Sequence, residues 1–166
     1  MLILENSLEI SPVAQADLEA VLEVYRQCED FLALGPVATA SMEMVLKDID
    51  ISRDEGGLFC GIHAADGKMI GVVDYVPNNY HGDPRAAYLS LLVIAAPFRK
   101  QGLGKTVVEA LEQAIRKDAR INGIHLGVQV NNPRAIRFWQ RCGYHIISGP
   151  TLMPDQTTVY AMRKDL

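Results

Sequence analysis

The segment Arg99-Lys100-Gln101-Gly102-Leu103-Gly104-Lys105-Thr106 concentrates the features of an anion site. Two glycines one residue apart let the backbone turn tightly and come close to a ligand, because no Cβ stands in the way. A helical pattern follows. The first amides of a helix lack internal partners, and its dipole is positive at that end. Such a site favours phosphate. Arg99, Lys100 and Lys105 add charge of the right sign.

Three ligand classes use a turn of this kind. Gly104-Lys105-Thr106 matches the end of a nucleotide P-loop, but that pattern needs a glycine five positions before Gly104, where Arg99 stands. A dinucleotide fingerprint would place its third glycine at Val107. A pyrophosphate-binding turn of the coenzyme A type, Arg-x-x-Gly-x-Gly, is matched in full by Arg99, Gly102 and Gly104. A glycine-rich helix start with no ligand is the bland alternative.

The turn needs a strand before it and a helix after it. Ala87 to Ile94 is a near-continuous apolar run, which predicts a central strand covered on both faces. Leu103, Val107, Ala110, Leu111 and Ala114 share one helical face, with Glu112 and Arg116 as an outward pair four residues apart. Upstream, Leu8 to Ile10 predicts a short strand. Helical spacing follows at Leu18, Val21, Leu22 and Tyr25, and again at Met42, Val45, Leu46 and Ile49, with Cys28 to Ala40 as a connecting loop. Leu58 to Ala64 and Met69 to Val76 predict strands around an Asp66-Gly67 turn. Pro77 to Arg85 is a polar loop. Ile124 to Val130 is a further strand, and Tyr144 to Ile147 and Thr158 to Met162 can supply two more. The order β-α-α-β-β-β-α-β-α-β-β predicts an α/β fold. It has one mixed, mostly antiparallel sheet with helices on both faces.

A second motif lies about 30 residues beyond the turn, room for one helix and one strand. It is Asn132-Pro133-Arg134-Ala135-Ile136-Arg137-Phe138-Trp139-Gln140-Arg141-Cys142-Gly143-Tyr144. Asn132, Pro133 and Gly143 suit a helix cap, a first helical position and a helix stop. The two segments together resemble the GNAT superfamily of N-acetyltransferases. Its first motif is a strand followed by (Arg/Gln)-x-x-Gly-x-(Gly/Ala). Its second is approximately Asn-x-x-Ala-x-x-(Phe/Leu)-Tyr-x-x-x-Gly-Phe, which Asn132, Ala135, Phe138, Gly143 and Tyr144 fit. The resemblance runs from about Leu89 to Tyr144, in a strand-helix-strand-helix setting.

The resemblance implies acetyl-CoA as co-substrate and direct attack of a neutral amine on the thioester. Leu92, Val93 and Ile94 would pair with the pantetheine arm. Amides from Gln101 to Thr106, including those of Gly102, Leu103, Gly104 and Lys105, would hold the pyrophosphate beside Arg99 and Lys100. Asn132, Ala135 and Phe138 would flank the far end of the arm. Arg134 or Arg141 would reach the adenosine end. A backbone amide near Ile94 could polarise the carbonyl. No covalent intermediate is implied, so Cys142 need not be a nucleophile. The tyrosine that protonates the leaving thiolate in such enzymes falls at Trp139, and indole is a donor but a very poor acid. Tyr144 or water would have to replace it.

Asp74 interrupts the apolar run Val72-Val73-Asp74-Tyr75-Val76, and a carboxylate buried there needs a partner or a task. Folding the chain about residues 81–82 puts it opposite Ser90. Asp74 is the candidate base, and a structural hydrogen bond to Ser90 or backbone is the alternative. The acceptor would sit near Glu29, Asp30 and Phe31, and near the loop from Asn78 to Asp83. An acyl-CoA-binding sensor without turnover and a nucleotide-binding switch are the competing functions.

With 166 residues the chain reads as a single acyltransferase domain over 1–166, and 49% hydrophobic against 22% charged residues excludes a disordered class. A net charge of −4 supplies no basic face for nucleic acid. The most apolar stretch, Ala86 to Phe98, is bounded by Arg85 and Arg99 and is too short to cross a bilayer. The first residues lack the basic start of a secretory leader. Three widely spaced cysteines, Cys28, Cys60 and Cys142, suggest free thiols in a reducing cytoplasm. No second ligand pair accompanies Cys142 and His145, so no metal is expected. The edge strands near the C-terminus could pair two subunits into a homodimer.

Overall fold

A computed structural model describes residues 2–3 and 8–166. Two short strands, β1 (Leu2–Ile3) and β2 (Glu9–Pro12), precede α1 (Leu18–Arg26), α2 (Glu29–Leu32) and α3 (Met42–Asp54). Then come β3 (Leu58–His63), β4 (Met69–Val76), β5 (Ala86–Ile94), α4 (Leu103–Ile115), β6 (Gly123–Gln129), α5 (Pro133–Arg141), β7 (His145–Leu152) and β8 (Thr158–Asp165). The strands form one sheet in the order β1-β2-β3-β4-β5-β6-β8-β7. Every described pairing is antiparallel except β5 with β6. Helices α1 and α3 cover one face and α4 and α5 the other, so helices stand on both faces as expected.

Most boundaries lie within two or three residues of those read from the sequence. The exceptions have physical causes. Cys28 to Ala40, expected as a loop, contains the single turn of α2, because the Cys28 carbonyl accepts from both Phe31 and Leu32 amides. β7 and β8 run well past Ile147 and Met162, because the two strands pair with each other along their length. The strand buried at all eight positions is β4. β5, expected to be covered on both faces, is partly open in its second half. Ser90 is exposed there, because the strand borders a cleft.

One side of α4 carries Val107, Val108, Leu111 and Ile115, all buried. Each such side chain contributes roughly 1.5–3 kcal/mol relative to exposure. Glu112, expected to face outward with Arg116, is instead buried and bonded to Lys164 Nζ on β8 at 2.6 Å. Lys164 also lies over the Tyr144 ring at 5.8 Å and against Gly143, where a Cβ would come within 3.3 Å of its Cε. Gly143 adopts φ +93°, a left-handed conformation that favours glycine and ends α5. The motif glycine therefore both stops a helix and makes room for a lysine that neutralises a buried carboxylate.

Lys164→Met should leave Glu112 buried without its cation. Because Lys164 keeps some solvent contact, the expected cost is about 3 kcal/mol, the low end for a broken buried pair. Urea unfolding checks this, and the double variant Glu112→Leu, Lys164→Met should recover most of the loss.

Candidate functional site

β5 and β6 run together only briefly. Their register extends from Ala86↔Gly123 to Leu89↔Leu126 and stops. Beyond that point β6 continues along β8, pairing Gly127, Val128 and Gln129 with Ala161, Tyr160 and Val159. β5 continues along β4 to Ile94. The two central strands therefore part, and a cleft of about 1240 Å³ opens between them. The Ala95 amide donates to the Ile70 carbonyl on the β4 side. Alternation along an extended chain then turns the amides of Ile94 and Leu92 toward the opening.

A β-bulge shapes the same strand. Asp74 pairs with Leu91 and Tyr75 with Leu89, so Ser90 is the extra residue. A bulge reverses which side chains face which side of the sheet. Leu92 and Ile94 pack with the α4 face, and so does Leu89. Leu91 and Val93 pack with the α1 and α3 face. Tyr88 thereby sits on the same side as α3. Its hydroxyl lies 3.2 Å from the place a Cβ on Gly127 would occupy, at the point where the strands separate.

At the C-terminal end of β5 the chain makes one 3-10 turn over Ala96–Phe98 and enters α4 through Lys100 at φ +65° and Gly102 at φ +80°. No side chain caps the first turn of α4. Not every amide expected to bind anion is free to do so. Those of Lys105 and Thr106 already donate to the Gly102 carbonyl at 3.0 and 3.2 Å, and the Thr106 hydroxyl folds back onto the same carbonyl. The expected anion site therefore narrows to the turn itself and the first amides of the helix. Gly104 has a second reason to be glycine: a Cβ there would meet Phe138 Cζ at 3.3 Å. α4 and α5 thus touch across the cleft floor, with Asn132 capping α5 by accepting from the Ala135 amide at 3.0 Å.

Leu92, Val93, Ile94, Arg99, Lys100, Gly102, Leu103, Gly104, Lys105, Asn132, Ala135 and Phe138 all line the cleft, whereas Gln101, Thr106 and Asp74 do not. Arg99 lines it without offering its charge. Its guanidinium grips Asp30 through two nitrogens, and its Nε donates to the Ile94 carbonyl at 2.7 Å. This pairing holds the Asp30 carboxyl below its ordinary range. Lys100 and Lys105 are exposed beside the turn, with Lys105 3.5 Å from Glu109. Arg134 and Arg141 border the same end of the cleft.

Asp74 is buried and accepts from the Ser52 hydroxyl of α3 at 2.6 Å. Burial raises its pKa, and the Ser52 and Ser90 hydroxyls pull the other way. Gly57 is glycine because a Cβ would meet Ser52 Oγ at 2.6 Å. Ser90, not Asp74, reaches the cleft wall. Trp139 is buried between Phe138 and Tyr144 in edge-to-face contacts at 4.9 and 5.3 Å. The Tyr144 hydroxyl is buried behind it, and burial raises the phenol's pKa. Tyr144 therefore does not replace the motif tyrosine in the cleft.

Two cleft residues carry no sequence signal of their own. Tyr88 sits inside an apolar strand, and Glu55 ends α3 in an ordinary acidic stretch. Tyr80 stacks on Tyr88 at 4.1 Å and 10°, and His81 stacks on Tyr80 at 4.1 Å. The loop from Asn78 to Asp83, expected near the acceptor, does not line the cleft itself, and its Tyr80 stacks against Tyr88. Burial raises the Tyr88 pKa, so its hydroxyl keeps its proton. Among the described residues no group of three or more His, Cys, Asp or Glu is arranged to hold a metal, and no helix is long and apolar enough to cross a membrane.

The same architecture recurs in solved structures. An acetyltransferase from Thermus thermophilus superposes with a TM-score of 0.80 at 20% identity, over 96% of this chain and 97% of that one. A spermidine N-acetyltransferase from Vibrio cholerae, in complex with CoA and spermine, gives a TM-score of 0.72 at 17% identity over 95% of each chain. In sequence, N-alpha-acetyltransferase 60 of Xenopus tropicalis is 31% identical over 86 residues, 51% of this chain and 33% of that protein. The chain spans about a third of the length of the curated relatives it matches. A family model described as the acetyltransferase (GNAT) family matches residues 18–144, from the start of α1 to the end of the second motif. With an opened β5–β6 pair, an uncapped glycine turn and a family match over well more than half its length, the chain belongs to the acetyltransferase (GNAT) family.

Proposed function

We propose that this chain is a single-domain N-acetyltransferase that moves the acetyl group of acetyl-CoA to a primary amine within one ternary complex. The observation that carries this is the parting of β5 from β6 directly beside the uncapped start of α4. An extended arm with amide groups suits the exposed edge of β5, and a pyrophosphate suits the helix start. The Ile94 amide faces the opening, where it would stabilise the oxyanion as the amine attacks the thioester carbonyl. Holding both substrates in one cleft supplies much of the remaining acceleration.

The proton steps fall to groups at the other end of the opening. Tyr88 would donate its proton to the departing sulfur, the transfer for which the Trp139 indole is too weak an acid. Asp74 is the proposed base, acting through Ser90 and water, since Ser90 lies between its carboxyl and the cleft. The acceptor side is bordered by Phe31, Leu34, Ile51, Glu55 and Asp155. Those residues fit an amine on an apolar stem, whether free or on a peptide. The three unpaired cysteines fit a cytoplasmic setting. A sensor that binds acyl-CoA without turnover is the second reading, favoured by Trp139 alone.

Calorimetric titration with acetyl-CoA, CoA and ATP tests the donor site. Acetyl-CoA should bind, and Gly104→Asp should weaken it at least about 100-fold, equivalent to about 2.7 kcal/mol. Binding of ATP in place of acetyl-CoA would return the nucleotide switch to first place. Tyr88→Phe should lower turnover about 10–100-fold with acetyl-CoA affinity unchanged. Turnover lost equally in Tyr80→Leu but kept in Tyr80→Phe would mark the stack on Tyr88, rather than the Tyr88 hydroxyl alone, as the requirement.

Asp74→Asn should lower turnover at saturating amine, and unchanged turnover would remove the catalytic role. Its effect on stability has a definite sign. The folded carboxyl binds its proton more tightly than the unfolded one, whose pKa is about 3.9. The stability this contributes is complete below that value and is lost as pH rises through the folded pKa. The wild-type protein should therefore lose stability relative to Asp74→Asn as pH is raised from about 4, read by urea unfolding at each pH.

A further inference from the structure

The arginine of the glycine turn is held in place by contacts that point away from an anion. Its side chain is 19% exposed, against 63% for Lys105 of the same turn. Arg99 Nε donates to the Ile94 carbonyl at 2.7 Å. Its two terminal nitrogens grip the Asp30 carboxylate, and one of them also lies 3.5 Å from the Gln27 carbonyl. The Cys28 thiol is directed at the same Ile94 carbonyl, 3.5 Å away. Burial raises the pKa of that thiol, so it keeps its proton as a donor.

An ion pair to a carboxylate as open as Asp30 fixes little by itself. Asp30 belongs to α2, however, and α2 is tied at both ends. The Cys28 carbonyl accepts from the Phe31 and Leu32 amides at its start, and the Leu34 carbonyl just beyond it accepts from the Asn131 side chain at 3.1 Å. Asn131 follows β6, so α2 reaches from the β5 bank of the opening to the β6 bank. Arg99 is clasped between that helix and the end of β5. The carbonyl it holds has a particular place. An extended residue turns its N–H and its C=O to the same side. The Ala95 amide donates to Ile70 on the β4 side, so the Ile94 N–H and C=O both face the opening. A negative oxygen brought to that amide would be repelled by the carbonyl beside it. Arg99 engages the carbonyl, sets positive charge next to it and stops the peptide from turning.

We propose that Arg99 is a positioning residue for acetyl transfer and not a ligand of the donor phosphates: clasped by Asp30 of α2, it holds the Ile94 carbonyl and so keeps the Ile94 amide aimed at the thioester oxygen. This rests on the reading of the chain as an acetyl-CoA-dependent acetyltransferase. The division of labour follows from the contacts. Charge for the pyrophosphate is left to the amides of the turn and to the exposed Lys100 and Lys105. What Arg99 supplies at Ile94 is an N–H donor in a fixed place, and its charge is spent on Asp30.

The experiment compares the wild-type protein with Arg99→Met and Arg99→Gln. Glutamine carries no charge but sets an amide nitrogen where Arg99 Nε stood. Three quantities are read: calorimetric affinity for acetyl-CoA, the infrared stretch of its isotopically labelled thioester carbonyl when bound, and thiol release with n-butylamine and with glycinamide. In the wild type the stretch should fall below that of free acetyl-CoA, the mark of a hydrogen bond to the thioester oxygen. Arg99→Met should lose most of that shift and about 10–100-fold in turnover, with affinity within about twofold of the wild type. Arg99→Gln should recover most of both. Affinity that falls about tenfold or more in both variants would make Arg99 a phosphate ligand and overturn the proposal. A shift kept in Arg99→Met, or lost equally in Arg99→Gln, would overturn it too. Asp30→Asn is a surface change that spares the fold. It should reduce the shift at unchanged affinity, and an undiminished shift there would overturn the clasp. Failure of the enzyme reading is distinct: acetyl-CoA bound, its stretch lowered, and no amine turned over. The infrared and affinity arms then still decide the role of Arg99.

Discussion

The site depends on a refusal to pair. β5 and β6 share four residues of parallel ladder and then separate, leaving backbone donors near the middle of a sheet without a strand opposite them. Such groups are costly when buried dry, and a cleft wide enough for water or an extended ligand is the arrangement that tolerates them. Other features of the centre follow from keeping that gap open. β6 is drawn away by seven residue pairs with β8. The bulge at Ser90 twists β5 and re-aims Tyr88. Phe138 fills the floor against Gly104, so the two helices meet where the strands do not.

Electrostatics at the centre is economical in mobile charge. The most suggestive cation of the glycine turn, Arg99, is neutralised by Asp30 and ties the α1–α2 region to the end of β5. In the proposed donor site, anion binding would fall on backbone amides and the dipole of α4, with Lys100 and Lys105 at the rim. Backbone donors cannot rotate away, so they hold a ligand with less loss of side-chain freedom than long cationic chains would. The consequence is that the acidic groups elsewhere are left with few cations. Asp74 relies on Ser52, and Asp48 relies on Tyr25.

Burial separates residues that look alike in sequence. Glu112 reads as a surface charge on a helix, yet it is buried beside Lys164. Glu55 reads as just another acid after Asp54, yet it borders the cleft. Tyr144 is the conspicuous phenol of the second motif, yet its hydroxyl is sealed behind Trp139. Tyr88 is inconspicuous, and its hydroxyl stands at the opening. In each pair the local pattern is the same or misleading, because exposure is set by what a distant segment places on top.

Short-range signals were enough to specify the long helices and the order of the main strands, but not α2 or β1, because hydrophobic periodicity, the Asn132 cap and the glycines at 102, 104 and 143 act over a few residues. They also pointed to the proposed donor site, since an anion-binding helix start is a local object. Folding in three dimensions was needed to settle which amides of that turn stay free and that Arg99 faces Asp30. It also set Asp74 behind Ser90 and brought Tyr88 and Glu55 to the wall of the cleft. Those outcomes depend on register, on a one-residue bulge and on contacts between elements tens of residues apart. No short-range pattern encodes them, because their energies exist only once the sheet has closed on one side and parted on the other.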